Sequence, residues 1–186
     1  MDAALSFWTA RRVLVCGVSS PLGAAVAELL ASQGAEVSGL VAPTPGDESH
    51  FLNGRLYERI RPLAGTTRHP APIAAALAGH EIEAIVDVTR TDARTTYALL
   101  AAARVAVPHA AITIAVVGPA SRLVPMANRF RAQKRNPIAV AVVNDAIEIA
   151  GEFLLTVTKR TILRDATVLA GWTEPTDPAA ARTRAA

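Results

Sequence analysis

The sequence predicts an α/β protein: a doubly wound, mostly parallel, six-stranded sheet with helices on both faces. Three observations carry this. Hydrophobic residues make up 51% of the 186 residues but aromatics only 4%. The core is therefore built from Ala, Val, Leu and Ile, which suits a parallel sheet buried on both sides. Short apolar runs alternate with helical periods along the whole chain. The connections between successive runs have the length of helical crossovers rather than hairpin turns.

In order, "RVLVCG" (12–17) reads as a buried strand and "PLGAAVAELLASQG" (21–34) as a helix. Ser20 can cap that helix, Pro21 takes its first position and Gly34 ends it. A second strand follows at 35–42, then a turn-rich loop at 43–54. The third strand lies near 59–65, with a short helix near 71–80. "EAIVDVT" (83–89) is strand four, 92–106 a helix and "AAITIAVVG" (110–118) strand five. Residues 120–135 read as a helix interrupted at Pro125, 141–161 as one long helix and 165–171 as strand six. Residues 1–172 thus form one domain, and the low-complexity stretch 173–186 reads as a disordered tail.

Composition excludes several classes. One cysteine, Cys16, allows no intrachain disulfide and no thiolate metal site, and fits a reducing cytoplasm. His50, His69, His80 and His109 have no metal-ligand spacing, so no metal is expected. No signal-peptide pattern opens the chain and no run of about 18 apolar residues occurs, so no membrane association is expected. Net charge is +3, with 17 Arg and 2 Lys. The dense basic stretch "NRFRAQKRN" (128–136) reads as a solvated helix face, and no nucleic-acid signature accompanies it.

The stretch "RRVLVCGVSSPLGAAVAELLASQGAEV" (11–37) opens like a dinucleotide-binding, Rossmann-type unit. There a strand feeds a glycine turn, and the N-terminus of the next helix faces a pyrophosphate. Gly17 can make the turn and Gly23 can let the helix pack closely, but the middle glycine is replaced within "SSP". Ser19 and Ser20 can donate hydroxyl hydrogen bonds to phosphate, or serve only as helix caps. The end of strand two, "GLVAPTP", offers neither an acid for the ribose of NAD nor a base for the extra phosphate of NADP. Candidate residues for an NAD or NADP cofactor are Gly17, Ser19, Ser20, Leu22, Gly23, Thr66, Asp87 and Val88. Asp87, with Arg90 and Asp92, falls at the strand-four edge where such folds hold ligands, although Asp92 serves equally as a helix cap. Asn144, Asp145 and Glu148 form a further polar cluster.

With these residues in view, the chain resembles the short-chain dehydrogenase/reductase superfamily, and within it the extended branch of epimerases and CDP-glucose 4,6-dehydratase-like proteins. The resemblance is carried by "FWTARRVLVCGVSSPLG" (7–23), "GAEVSGLVAP" (34–43), "RIRPLAGTTRHPAPIAAAL" (59–77), "IEAIVDVTRTDARTTYALLAAAR" (82–104), "IEIAGEFLLTV" (147–157) and "ATVLAGW" (166–172). It implies hydride transfer to a nicotinamide, with a Tyr and a Lys four residues later as acid/base pair. The chain's two tyrosines, Tyr57 and Tyr97, have no Lys at that spacing. Aligning the segment 147–157 with the family's catalytic helix puts Asn144 and Glu148 at the pair's positions, and neither can do that chemistry. The family's substrate lobe is expected to be missing too, since about 15 residues follow the last predicted strand. The expectation is a pseudoenzyme: a truncated NAD(P)-binding-type domain acting as a binding, accessory or dimerising protein. The alternatives are a cofactor sensor and an epimerase/dehydratase-like enzyme with non-standard residues. The resemblance also implies a homodimer, or a heterodimer with an active homologue, through the helices after strands four and five. Those helices are 92–106 and 141–161, with Ala98, Leu99, Ala102, Ile149 and Phe153 as candidate contacts.

Overall fold

The computed structural model describes residues 6–41, 55–64, 70–89, 93–117, 136–143, 147–163 and 169–171. Thr66, Arg90, Asp92, Asn144, Asp145, most of the basic stretch 128–136 and the tail 173–186 lie outside them. The strands are β1 (Arg12–Cys16), β2 (Glu36–Val41), β3 (Arg61–Ala64), β4 (Ala84–Asp87), β5 (Ala111–Val117), β6 (Ile138–Val143) and β7 (Leu169–Gly171). The helices are α1 (Pro21–Ser32), α2 (Pro70–Ala78), α3 (Ala93–Ala106) and α4 (Ile147–Ile162). The seven strands form one sheet in the order β3-β2-β1-β4-β5-β6-β7, and every pairing is parallel. The doubly wound α/β class read from the sequence is the one observed, with one strand more.

The additional strand is β6, which corrects the helix expected over 141–161. "IAVAVV" is apolar at every position and buried at every position whose side chain is described. A strand sandwiched between two helical layers has no polar face, so it gives no alternation that would set it apart from the helix that follows. The helix begins only at Ile147 and therefore follows the sixth strand, not the fifth. Of the two positions aligned with the family's catalytic pair, Glu148 lies in the first turn of this helix and Asn144 lies outside the described residues.

Alternation along the strands divides the core in two. Val13, Val15, Val86, Ala111, Ala115, Ala139 and Ala141 point to one face, where α1 contributes Leu22, Val26 and Leu30 and α4 contributes Leu154 and Val157. Leu14, Leu40, Ile85, Ile112, Ile114 and Ile138 point to the other, covered by Ile73 and Leu77 of α2 and Leu99, Leu100 and Ala103 of α3. The strands offer small Val and Ala side chains to α1 and α4, and larger Leu and Ile side chains to α2 and α3. Helices α3 and α4 thus lie on opposite faces of the sheet. An interface drawing on 92–106 and 141–161 together would therefore have to use both faces of the sheet. Leu99 and Ala102 are spent in the core, because a helix must turn its apolar stripe to the sheet before it can offer any to a partner. Phe153 packs partly on the α1/α4 core, and Ala98 is half-buried.

Two buried polar devices fix the layers. Asn136 Nδ2 donates to the carbonyls of Val107 (2.8 Å) and Ala110 (2.9 Å), tying the entry of β6 to the turn between α3 and β5. Thr158 Oγ1 donates to the Leu154 carbonyl (2.7 Å) and lies 2.9 Å from Thr113 Oγ1, joining α4 to β5. Both threonines are fully buried, and each hydroxyl is satisfied.

Candidate functional site

Strands β1 and β4 end together, with Cys16 in register with Asp87 and the Val88 amide donating to the Cys16 carbonyl at 3.1 Å. From β1 the chain turns back through α1 to β2, while β4 leads the other way to β5. This is the point of an open parallel sheet where a crevice forms beyond the carboxyl ends of the strands. The Gly17–Gly23 loop lies here.

Gly17 takes φ +90°, a conformation open to glycine and costly for a residue with a Cβ. Its carbonyl accepts two hydrogen bonds from Ser20, one from the amide (2.9 Å) and one from Oγ (2.8 Å). Ser20 Oγ in turn accepts the Gly23 amide at 3.1 Å and caps α1, as the sequence predicts, with Pro21 at the first turn. Helix and loop touch backbone to backbone: a Cβ on Gly23 would lie 2.0 Å from the Gly17 carbonyl oxygen. Val18, fully buried, anchors the loop over β2, where Gly39 leaves room for it.

Most of the sequence-predicted cofactor residues therefore have structural work. Gly17, Ser20 and Gly23 hold one another. The side chains of Leu22 and Val88 are buried in the core, leaving the Leu22 amide as a first-turn donor with no acceptor in its own helix. Ser19 differs: its Oγ is shut off from solvent and has no hydrogen-bond partner among the described residues. An orphaned buried hydroxyl costs about 1–3 kcal/mol, and this one belongs to the loop of a helix N-terminus.

Asp87 is 2% exposed. Its Oδ1 accepts from the Thr89 amide (3.1 Å) and from Thr89 Oγ1 (2.6 Å). Thr89 is thereby held against Gly17, where a Cβ would meet its Cγ2 and amide nitrogen at 3.2 Å. Burial raises the Asp87 carboxyl above the usual range, and the two Thr89 donors oppose this. Burial raises the Cys16 thiol well above its ordinary value, and the neighbouring Asp87 charge adds to the effect. Cys16 thus stays protonated and unreactive.

Val18 and Thr89 were not among the sequence candidates. Val18 is signalled by its apolar type in an otherwise polar loop. Thr89 carries no local signal, since its role depends on β4 ending beside β1. Neither tyrosine is at this crevice by chain position: Tyr57 sits in the 3₁₀ turn Leu56–Glu58 before β3, and Tyr97 on α3 is 56% exposed. Among the described residues there is no cluster of metal-ligating side chains and no helix long and apolar enough to cross a membrane.

No protein-family model and no curated protein matches the sequence. Solved structures do. The chain is similar to a metagenomic short-chain oxidoreductase in complex with NADP, at 15% identity and TM-score 0.65, over 91% of this chain and 98% of that one. It is similar to the NADH-dependent reductase A1-R' complexed with NAD, at 12% identity and TM-score 0.65, over 88% and 95%. It also matches Pen from Bacillus thuringiensis at 13% identity and TM-score 0.60, over 74% of this chain, and spans 50% of that chain's length. The fold is that of these short-chain oxidoreductases: a parallel Rossmann-type sheet with helices on both faces.

Proposed function

We propose that the chain is an NAD(P)-binding domain of short-chain dehydrogenase/reductase type that holds a dinucleotide's pyrophosphate at the Gly17–Gly23 loop without tyrosine-dependent hydride transfer. The observation that carries this is the buried, unpartnered Ser19 Oγ beside the start of α1. Turned outward about χ1, this hydroxyl would donate to a phosphate oxygen, and the helix N-terminus favours the negative charge. Gly17, Ser20 and Gly23 keep the loop rigid, so ordering it on binding costs little. The Leu22 amide supplies a backbone donor. Pro21 removes another, so binding is weaker than in a loop with a glycine there.

A bound nicotinamide would supply a hydride acceptor or donor, but the chain's own acid/base equipment is reduced. Neither Tyr57 nor Tyr97 has a Lys four residues on, so the sequence carries no Tyr-x-x-x-Lys pair. That supports a binding, sensing or accessory role. A homodimer, or a heterodimer with an active homologue, rests on the sequence resemblance; the outward side of α3 offers Tyr97, 56% exposed, and Val105, 79% exposed, for such a contact. A relation to epimerases and dehydratases rests on the sequence resemblance over residues 7–172.

The test is titration calorimetry with NAD⁺, NADH, NADP⁺ and NADPH on the wild type and Ser19→Ala. Expected is sub-millimolar binding of at least one nucleotide, weakened about tenfold by Ser19→Ala. The unliganded variant should be at least as stable as wild type, because alanine removes an orphaned polar atom. Absence of heat with all four nucleotides would end the proposal.

A further inference from the structure

Asp87 ends β4 at the level where Cys16 ends β1, one residue before the glycine turn. Adjacent strands lie about 4.8 Å apart, and Gly17 touches the residue that Asp87 holds. A Cβ on Gly17 would meet Thr89 Cγ2 and the Thr89 amide nitrogen at 3.2 Å, while that amide and Thr89 Oγ1 both donate to Asp87 Oδ1. Carboxyl, threonine and glycine turn thus form one chain of contacts. An anion seated at the loop would lie on the order of 10 Å from the carboxyl, one strand spacing and one or two residues away. We propose that nucleotide binding at the Gly17–Gly23 loop is coupled to proton uptake by Asp87, whose neutral form admits the pyrophosphate and whose carboxylate opposes it. This rests on the reading of the loop as a nucleotide site.

The coupling depends on the charges around the carboxyl. Asp87 is buried, so solvent ions screen it little. Beside it, β1 presents Cys16, whose thiol burial holds protonated with help from the Asp87 charge, and β5 presents Ile114 in register. Helix α2 carries no ionisable residue at all. From α3, the buried Thr95, Thr96 and Leu99 are uncharged. The ion pairs among the described residues, Arg11–Glu83 and Arg12–Glu81, sit at the opposite end of β1 and β4. Arg90, Asp92 and the side chain of Arg94 lie outside the described residues. The described surroundings therefore leave the Asp87 charge without a neutralising partner, next to the place where a second anion is to bind.

The sign of the effect follows from linkage. Burial already raises the Asp87 carboxyl, against the two Thr89 donors. A pyrophosphate nearby raises it further, because it disfavours the carboxylate and leaves the neutral acid unaffected. Whatever strengthens proton binding when the nucleotide is present strengthens nucleotide binding by the same factor when the proton is present. Affinity is therefore full below the carboxyl's value in the free protein. It falls as pH rises through that value, and the loss is complete above the value in the complex. Two phosphate charges at about 10 Å, in a medium between protein surface and water, correspond to about tenfold in affinity.

The test is calorimetric titration of wild type and Asp87→Asn with NAD⁺ and NADP⁺ from pH ~4.5 to pH ~8.5. Asparagine keeps an acceptor for Thr89 and cannot ionise, and any titration of the ligand itself is common to both proteins. Wild type should bind about tenfold more weakly at the top of the range than at the bottom, with protons taken up from the buffer on binding. Asp87→Asn should bind at every pH as tightly as wild type does at the bottom. A gain of affinity at high pH is the opposite of what a loosened loop gives. Should the variant not fold, the Asp87 carboxyl carbon resonance of wild type decides: its titration should move up by about one pH unit with saturating nucleotide, the counterpart of tenfold in affinity. Wild-type binding that does not change with pH overturns the proposal and leaves the nucleotide reading standing. So does a variant that keeps the wild-type slope, or an Asp87 titration unmoved by nucleotide. Absence of binding at every pH overturns both.

Discussion

A single methyl group tests the geometry on which the nucleotide loop rests. Alanine at Gly23 would place a carbon 2.0 Å from the Gly17 carbonyl oxygen, 2.5 Å from its carbonyl carbon and 2.9 Å from the Val18 amide nitrogen. Ordinary contact begins near 3.4 Å, so α1 would have to withdraw from the loop by more than an ångström. All three obstacles are backbone atoms, and no rotamer change relieves them. Overpacking of this kind costs about 1–3 kcal/mol. Withdrawal also breaks the Ser20 cap on the Gly23 amide, worth about 1 kcal/mol. The expected loss is roughly 2–4 kcal/mol. Gly151 in α4 is the control. A Cβ there meets nothing nearer than Leu29 Cδ2 at 4.0 Å, so alanine should stabilise by about 0.5–1 kcal/mol through helix propensity. Urea unfolding followed by the fluorescence of buried Trp8 should rank Gly151→Ala above wild type and Gly23→Ala well below it. A wild-type midpoint for Gly23→Ala would refute the close approach of α1 to the loop.

Two further substitutions probe the polar groups that hold the site. Burial raises the Asp87 carboxyl above its unfolded value, so the folded protein binds that proton more tightly than the unfolded chain. The stability this group contributes is therefore complete below the unfolded value of about 3.9 and is lost as pH rises through the folded value. Asp87→Asn keeps an acceptor for Thr89 without the charge. It should raise Tm at neutral pH, with the difference shrinking towards pH ~4; a pH-independent difference would contradict the assigned cause. Asn136→Ala removes two donors from buried carbonyls and should cost about 2–4 kcal/mol in urea unfolding. A loss below ~0.5 kcal/mol, the scale of an ordinary surface change, would mean that water replaces the amide.

The strands with a clear local frame were legible in the sequence. β1 is announced by the glycine turn after it, β4 by the acid at its end and α1 by a serine, a proline and a closing glycine. β6 was not, for the reason that makes it a good central strand: a segment covered on both faces has no polar side to display. The usable signal lay in its flanks. Asn-Pro at 136–137 interrupts any helix, and Asn-Asp at 144–145 can begin one. Read as helix, 141–143 merges with 147–162 and hides that α3 and α4 are separated by the sheet. An error in element order propagates into function further than an error in element boundaries.

The glycine loop shows a different limit. Sequence alone weighs Ser19 and Ser20 equally, since both are small, hydroxylic and adjacent to a helix start. The structure separates them by their hydrogen bonds. Ser20 spends its hydroxyl on Gly17 and Gly23, and would be needed in a loop that binds nothing. Ser19 Oγ has no partner among the described residues, and in a loop that binds nothing alanine would serve better. Pro21 limits how much backbone the loop can offer a phosphate, so the proposed nucleotide site leans on the Ser19 hydroxyl. The loop is the turn every such fold requires, with one polar group among the described residues that the turn itself does not use.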